Sequence, residues 1–208
     1  MNPRPSSRPR GATRDELVHI GVRMLTEKGY GQTGLDEILR TAGVPKGSFY
    51  HYFPSKEAYG LAVVEHYAQY FAKRLARAFD DDSLAPLDRL RRFVTEACAG
   101  MIRHEFRRGC LVGNLGQELG AHNDAFRERL EAVLGHWQAR VADCLRAAIR
   151  AGELPPETDA EALAGFFWIA WEGAILRAKL TRSTAPLALC AQVFFTQLLH
   201  AAPPSLPD

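Results

Sequence analysis

The sequence contains no C-x-x-C pair. Its four cysteines, Cys98, Cys110, Cys144 and Cys190, are widely spaced, which argues against a structural zinc site or a disulfide framework and for reduced thiols. The N-terminus lacks the apolar core of a secretory signal. The most apolar stretch, Phe166 to Trp171, is closed by Glu172 and is far too short to span a bilayer, so a cytoplasmic protein without a membrane segment is expected. There is no Gly-rich phosphate loop, no metal-ligand spacing and no nucleophile elbow. Enzyme chemistry is therefore not indicated, and no catalytic residue, metal or cofactor is assigned. Runs of alternating β-branched residues are missing too, which removes the usual signal for strands. The net charge of +2 over 208 residues is too small to name a partner.

What the chain does have is helix punctuation. Thr13-Arg14-Asp15-Glu16 reads as a capping box. Leu17, Ile20, Met24 and Leu25 then follow as one helical stripe that Gly29 and Gly31 stop. Thr33 can cap a second helix with Leu35, Ile38, Leu39 and Ala42 on its apolar face. Gly43 ends that helix, and Pro45 suits the first position of a short third one that reaches about Phe53 before Pro54. Ser55 caps a long helix predicted over 56–79. Further helices are predicted at about 86–107, 111–120, 124–151, 159–182 and 186–201. The fold class is all-α. The expected division is a basic, disordered arm at 1–12, a helix-turn-helix unit at 13–55, a sensing and dimerisation bundle at 56–202, and a disordered tail at 203–208.

The charge is unevenly spread. Residues 1–60 hold nine Lys and Arg against six Asp and Glu, and Arg4, Arg8 and Arg10 precede the first acid. Two short helices joined through Ala42-Gly43-Val44 and braced by an amphipathic one are the pattern of a helix-turn-helix. Once Phe49 and Phe53 are buried, the third helix presents Lys46, Gly47, Ser48, Tyr50, His51 and Tyr52, with Lys56 following. These are donors and small residues suited to a DNA groove. Gly47 weakens a helix, which makes sense if the backbone must approach DNA closely. Any small three-helix bundle shares part of this pattern, so a helical interaction module without DNA binding is the competing reading.

The run Gly43-Val-Pro-Lys-Gly-Ser-Phe-Tyr-His-Tyr-Phe53, followed by Ser55-Lys-Glu-Ala58, resembles the DNA-binding module of the tetracycline-repressor family, and the resemblance extends over nearly the whole chain. It implies a repressor that binds double-stranded, palindromic operator DNA as a homodimer and releases it on sensing an inducer. Thr33, Lys46, Ser48, Tyr50, His51, Tyr52 and Lys56 match the family's DNA-contacting positions. Tyr50, Tyr52 and Lys56 fit phosphate contacts, and Lys46, Ser48 and His51 fit base edges.

In the larger module the helix at 159–182 is apolar nearly all round and needs a second covering surface. With Leu187, Val193, Phe194 and Leu198 of the last helix it makes a two-fold dimer interface. Aromatic residues, Trp137 and Trp171 among them, and the polar Asn114, Gln117 and Glu172 are candidates for a ligand pocket between helices. Cys110 falls at a helix start after Arg107 and Arg108 and downstream of His104. This placement lowers a thiol pKa, whereas residue type alone favours a buried structural cysteine. Gly109-Cys110-Leu111, taken with Trp171-Glu-Gly-Ala-Ile-Leu-Arg-Ala-Lys179, is similar to a subgroup of the family that includes an acrylate-responsive repressor and the repressor of N-ethylmaleimide reductase. That likeness implies Cys110 as a sensor of electrophiles with Lys179 as its partner. A small carboxylate is the other inducer class, with Arg107, Arg108, Arg177 or Lys179 to hold its charge.

Overall fold

The computed structural model describes residues 10–207, with side chains from Arg14 onward. It has α1 (Arg10–Lys28), α2 (Leu35–Ala42), α3 (Lys46–Tyr52), α4 (Lys56–Phe79), α5 (Pro86–Arg103), α6 (Leu111–Leu119), α7 (Asp124–Arg150), α8 (Ala160–Thr181) and α9 (Ala185–Val193), continued by a π-helical turn at Phe194–Leu198. No strand occurs among the described residues. Helix α1 starts at Arg10, so Thr13 lies inside it and is not its cap. Arg4 and Arg8 of the basic arm lie outside the described residues.

Helices α1 to α3 form a trio around Leu17, Leu25, Ile38, Leu39 and Phe49, all buried. Gly43 caps α2 in the left-handed region at φ 63°, with its amide turned back to the Leu39 and Arg40 carbonyls. Pro45 is the residue before α3 and not its first turn. Phe49 and Phe53 pack on Tyr59 with ring centroids 5.5 and 5.1 Å away. The Tyr59 hydroxyl donates to the Leu17 carbonyl at 2.7 Å. Burial holds that phenol neutral by raising its pKa. This join of α4 to α1 requires Gly21, because a Cβ there would sit 2.4 Å from the Tyr59 oxygen.

The predicted long helix over 56–79 matches α4, whose first turn is capped by Ser55 Oγ accepting from the Ala58 amide at 3.0 Å. Helix α5 ends four residues short of the predicted 107. Glu105 and Phe106 take left-handed φ of 51° and 57°, and the Phe106 amide closes on the Met101 carbonyl at 2.9 Å. This turn brings Gly109 and Cys110 back across the bundle. The last predicted helix divides into α9 and its π turn.

Helix α8 buries Phe167, Trp168, Trp171, Ala174 and Ala178 on one side. On the other side Ile169 and Leu180 remain 77% and 72% exposed, continuous with Phe166 and Leu176 and with Leu189, Val193 and Leu198 beyond α8. An apolar surface of this extent on the last two helices is what a two-fold partner would cover. Among the described residues no helix is long and apolar enough to cross a membrane.

Candidate functional site

The outer face of α3 carries the first candidate surface. Phe49 is buried beneath it. Lys46, Gly47, Tyr50 and His51 are exposed, while Ser48 and Tyr52 are half-buried. Tyr50 is 53% exposed and packs edge-on against Phe49. Nothing lies within 4 Å of where a Gly47 Cβ would point, so packing does not require the glycine, and the backbone is open to close approach. Lys46 pairs with Asp36 at 3.2 Å, a surface contact that water screens and a phosphate could replace.

Two residues expected on this surface are placed elsewhere. Thr33 is fully buried, its hydroxyl donating to the Gly29 carbonyl at 2.6 Å, and the residue before α2 is Gly34, with no side-chain cap. Thr33 thus braces the α1–α2 turn and presents no side chain outward. Lys56 turns inward. Its ammonium donates to the Tyr30 carbonyl at 2.8 Å and lies 4.3 Å from the centre of the Tyr30 ring, and burial lowers its pKa. An ammonium held in this way is not a free phosphate ligand.

The second candidate is a cavity of about 990 Å³ bounded by α1, α4, α5, α8 and the start of α6. Its inner wall is aromatic, with Tyr67, Phe71, Phe93, Trp168 and Trp171, and it ends at Cys110 and Glu172. Arginines also line it: Arg23, Arg74, Arg77, Arg92, Arg103 and Arg108, with Arg74 over the Phe71 ring at 5.7 Å. Arg92 is committed to Asp81 at 2.7 Å and Arg108 to Glu27 at 2.8 Å. Among the described residues Arg23, Arg77 and Arg103 have no carboxylate partner, and with Glu96 and Glu172 as the acids of the lining they give the cavity a net positive field. His19, Val22, Arg23 and Thr26 all belong to α1, so the helix that braces the trio is itself a wall of the cavity.

The expected sensing residues separate into those on the cavity and those away from it. Cys110, Trp171 and Glu172 line it. Trp137 does not: it packs behind the wall, with centroids 4.2 Å from Phe71 and 5.2 Å from Trp168. Gln117 faces solvent. Asn114 is a tie and not a wall, donating to the Thr26 carbonyl at 2.9 Å and accepting from Lys179 at 3.5 Å. Lys179 lies behind Gly109, where a Cβ would meet its Cδ at 2.9 Å. Arg107 is turned to Glu105, and Arg177 is exposed.

Cys110 does sit at the N-cap of α6, its Sγ accepting from the Gly113 amide at 3.4 Å. The expected low thiol pKa does not follow. Burial, and then the neighbouring Glu172 carboxylate, push it well up, while Arg107 and Arg108 are paired with Glu105 and Glu27. The resting group is a neutral thiol. Burial also pushes Glu172 up to about 7. Its carboxylate occupies the space a Gly113 side chain would take, with Oε2 only 2.1 Å from that Cβ position. Glu172 Oε1 and Trp168 Nε1 are both buried without a protein hydrogen-bond partner, an unusual cost beside an aromatic cavity unless something else pairs with them.

One contact across the bundle has little local signal in the sequence. Glu118, near the end of α6, accepts from the backbone amides of Tyr30 at 2.7 Å and Gly31 at 2.5 Å. Side chains at Gly29 or Gly31 would collide with that carboxylate at 2.8 Å, and Gly29 is left-handed at φ 83°. Helix α6 therefore begins at the cavity and ends bonded to the α1–α2 turn. The available signal was the polar Gln117-Glu118 pair closing an apolar helix, but its partner is 88 residues away in sequence.

Residues 17–61 match the family described as bacterial regulatory proteins, tetR family, and residues 86–194 match the tetracyclin repressor-like C-terminal domain. The transcriptional regulator AcuR of Cereibacter sphaeroides is 56% identical over 192 residues, covering 90% of this chain and 88% of that protein. The HTH-type transcriptional repressor NemR of Escherichia coli is 34% identical over 185 residues, covering 84% and 88%. The crystal structure of a regulatory protein TetR from Rhodobacter sphaeroides superposes with a TM-score of 0.84 at 55% identity, covering 88% of this chain and 96% of that one.

Proposed function

The chain belongs to the tetR family of bacterial regulatory proteins, which are transcriptional regulators and not enzymes, and on that premise we propose that it is a repressor whose grip on operator DNA is loosened when a small molecule enters the cavity behind α1. The observation that carries this reading is the shared wall: α1 braces the helix-turn-helix on one side and lines the cavity on the other. Such a DNA-binding role implies the cytoplasm.

In this reading α3 enters the major groove. Lys46, Ser48 and His51 address base edges, Tyr50 and Tyr52 address phosphates, and Gly47 lets the backbone come near. One short helix reads too few base pairs for a unique address. A homodimer through the exposed faces of α8 and α9 doubles the site and makes the operator palindromic, with half-sites set one or more helical turns apart.

The ligand must favour a geometry that does not fit that spacing, since equal affinity for both states shifts nothing. Helix α4 carries the trio at its start, and α6 ties the cavity to the α1–α2 turn through Glu118. A small carboxylate fits the cavity's arginines, and a thiol-reactive compound fits the Cys110 end. The test is an operator titration by fluorescence anisotropy, with and without acrylate and with and without a thiol-reactive electrophile. Release that survives Cys110→Ser identifies reversible occupancy, and release lost with Cys110→Ser identifies covalent capture. Operator affinity unchanged by every ligand of either class would contradict the proposal.

A further inference from the structure

We infer that Glu172 is the proton-transfer partner of Cys110, making the inner end of the cavity a site for conjugate addition of the thiol to an α,β-unsaturated carbonyl compound. This deepens the covalent form of the regulatory reading and rests on it. Three observations support it. The carboxylate of Glu172 is seated against Gly113, the same residue whose amide reaches Cys110 Sγ. Glu172 Oε1 is buried and unpartnered on the cavity wall. The indole N–H of Trp168, another residue of the cavity wall, is buried and unpartnered as well, a donor suited to a ligand carbonyl oxygen. Burial raises the pKa of both groups, and the charge of Glu172 raises that of Cys110 further.

The arrangement answers a chemical difficulty. A neutral buried thiol is a poor nucleophile, and Arg107 and Arg108, the cations next to it in sequence, are paired with Glu105 and Glu27. Glu172 can take the Sγ proton as the sulfur attacks. The new bond forms between Sγ and the β-carbon while the carbon–carbon double bond shifts its electrons to give an enolate, whose oxygen faces the Trp168 donor. Glu172 then returns the proton to the α-carbon. The sum is thiol plus alkene giving thioether, with no oxidant, reductant or leaving group, and the carboxylate ends as it began. A group titrating near neutrality suits both halves of this transfer.

The experiment uses the full-length reduced chain and methyl vinyl ketone, with adduct formation followed by intact mass and located by peptide mapping. The wild type should form one adduct at Cys110, with a rate that rises through an inflection near neutral pH. Glu172→Gln should slow this by at least about tenfold and remove the inflection, and Glu172→Asp should recover part of the rate. Gly113→Ala, which displaces the carboxylate from the other side, should act in the same direction. His19, His66 and His104 on the wall, Tyr67 beside the thiol and Lys179 behind Gly109 are common to all variants, so an inflection lost only without Glu172 belongs to it. Iodoacetamide needs the proton removed but not returned, so Glu172→Gln should slow it less. An unchanged rate in Glu172→Gln, equal slowing of both reagents, or an adduct at Cys98, Cys144 or Cys190 in place of Cys110 overturns the relay. Operator binding measured on fully alkylated wild type judges the regulatory reading separately: retention there sinks Cys110 as the sensor, while the relay stands or falls on the rates.

Discussion

Replacing Glu118 by alanine removes the two hydrogen bonds by which α6 holds the α1–α2 turn, one to the Tyr30 amide at 2.7 Å and one to Gly31 at 2.5 Å. Hydrogen bonds to a charged acceptor contribute about 1.5–3 kcal/mol each. The turn is partly exposed to water, which lowers the two together to about 1–2 kcal/mol. Local opening of the turn should become easier by that amount. Since about 1.4 kcal/mol is a factor of ten, amide exchange at Tyr30 and Gly31 should accelerate by about 5- to 30-fold. Residue-resolved hydrogen exchange measures this directly, with core amides of α1 such as Leu25 as the internal control. Unchanged exchange at both amides would refute the clamp. The same substitution should weaken the effect of a cavity ligand on operator affinity, because α6 would no longer be fastened to the reading unit, and coupling free energies between sites are themselves only about 1–3 kcal/mol.

Three further outcomes follow from named groups. Tyr50→Phe should weaken binding to operator and to unrelated duplex alike, whereas Lys46→Ala or His51→Ala should change which half-site sequence is preferred, as measured by competition gel shifts. Leu180→Glu, placed on the exposed face of α8, should convert dimer to monomer in sedimentation velocity and lose operator binding with it. The raised pKa of Glu172 makes stability pH-dependent in a defined sense: the folded chain keeps the proton that the unfolded chain releases from about 4.5 upward. Stability should therefore fall as pH rises from about 4.5 through about 7, by about 3 kcal/mol in all, and Glu172→Gln should flatten that part of the profile in thermal melts.

Much of this architecture could be read from residue pattern, and the exceptions share a cause. Gly43, Ser55 and the Phe49/Phe53 pair act through neighbours a few residues away, so the short α3 and the long α4 emerge where their punctuation puts them. Thr33 and Lys56 have the chemistry of surface donors but are used inside, on the Gly29 and Tyr30 carbonyls. A single turn is locked from two sides, and neither partner is visible as a periodic signal. Context puts Cys110 at a helix start, yet its titration is governed first by burial and then by Glu172, 62 residues on, and not by the adjacent arginines. The left-handed pair Glu105 and Phe106 shortened α5 without a glycine to announce it. Residues whose role is set across the bundle are those that a local reading misassigns.

The most direct test of the regulatory account is the binding of purified protein to its own upstream DNA, with stoichiometry and salt dependence measured together. Two chains should occupy one palindromic site, with affinity falling steeply as salt rises because lysine, arginine and helix-end contacts displace counterions from phosphates. Binding by a monomer, or an affinity indifferent to both sequence symmetry and salt, would contradict it.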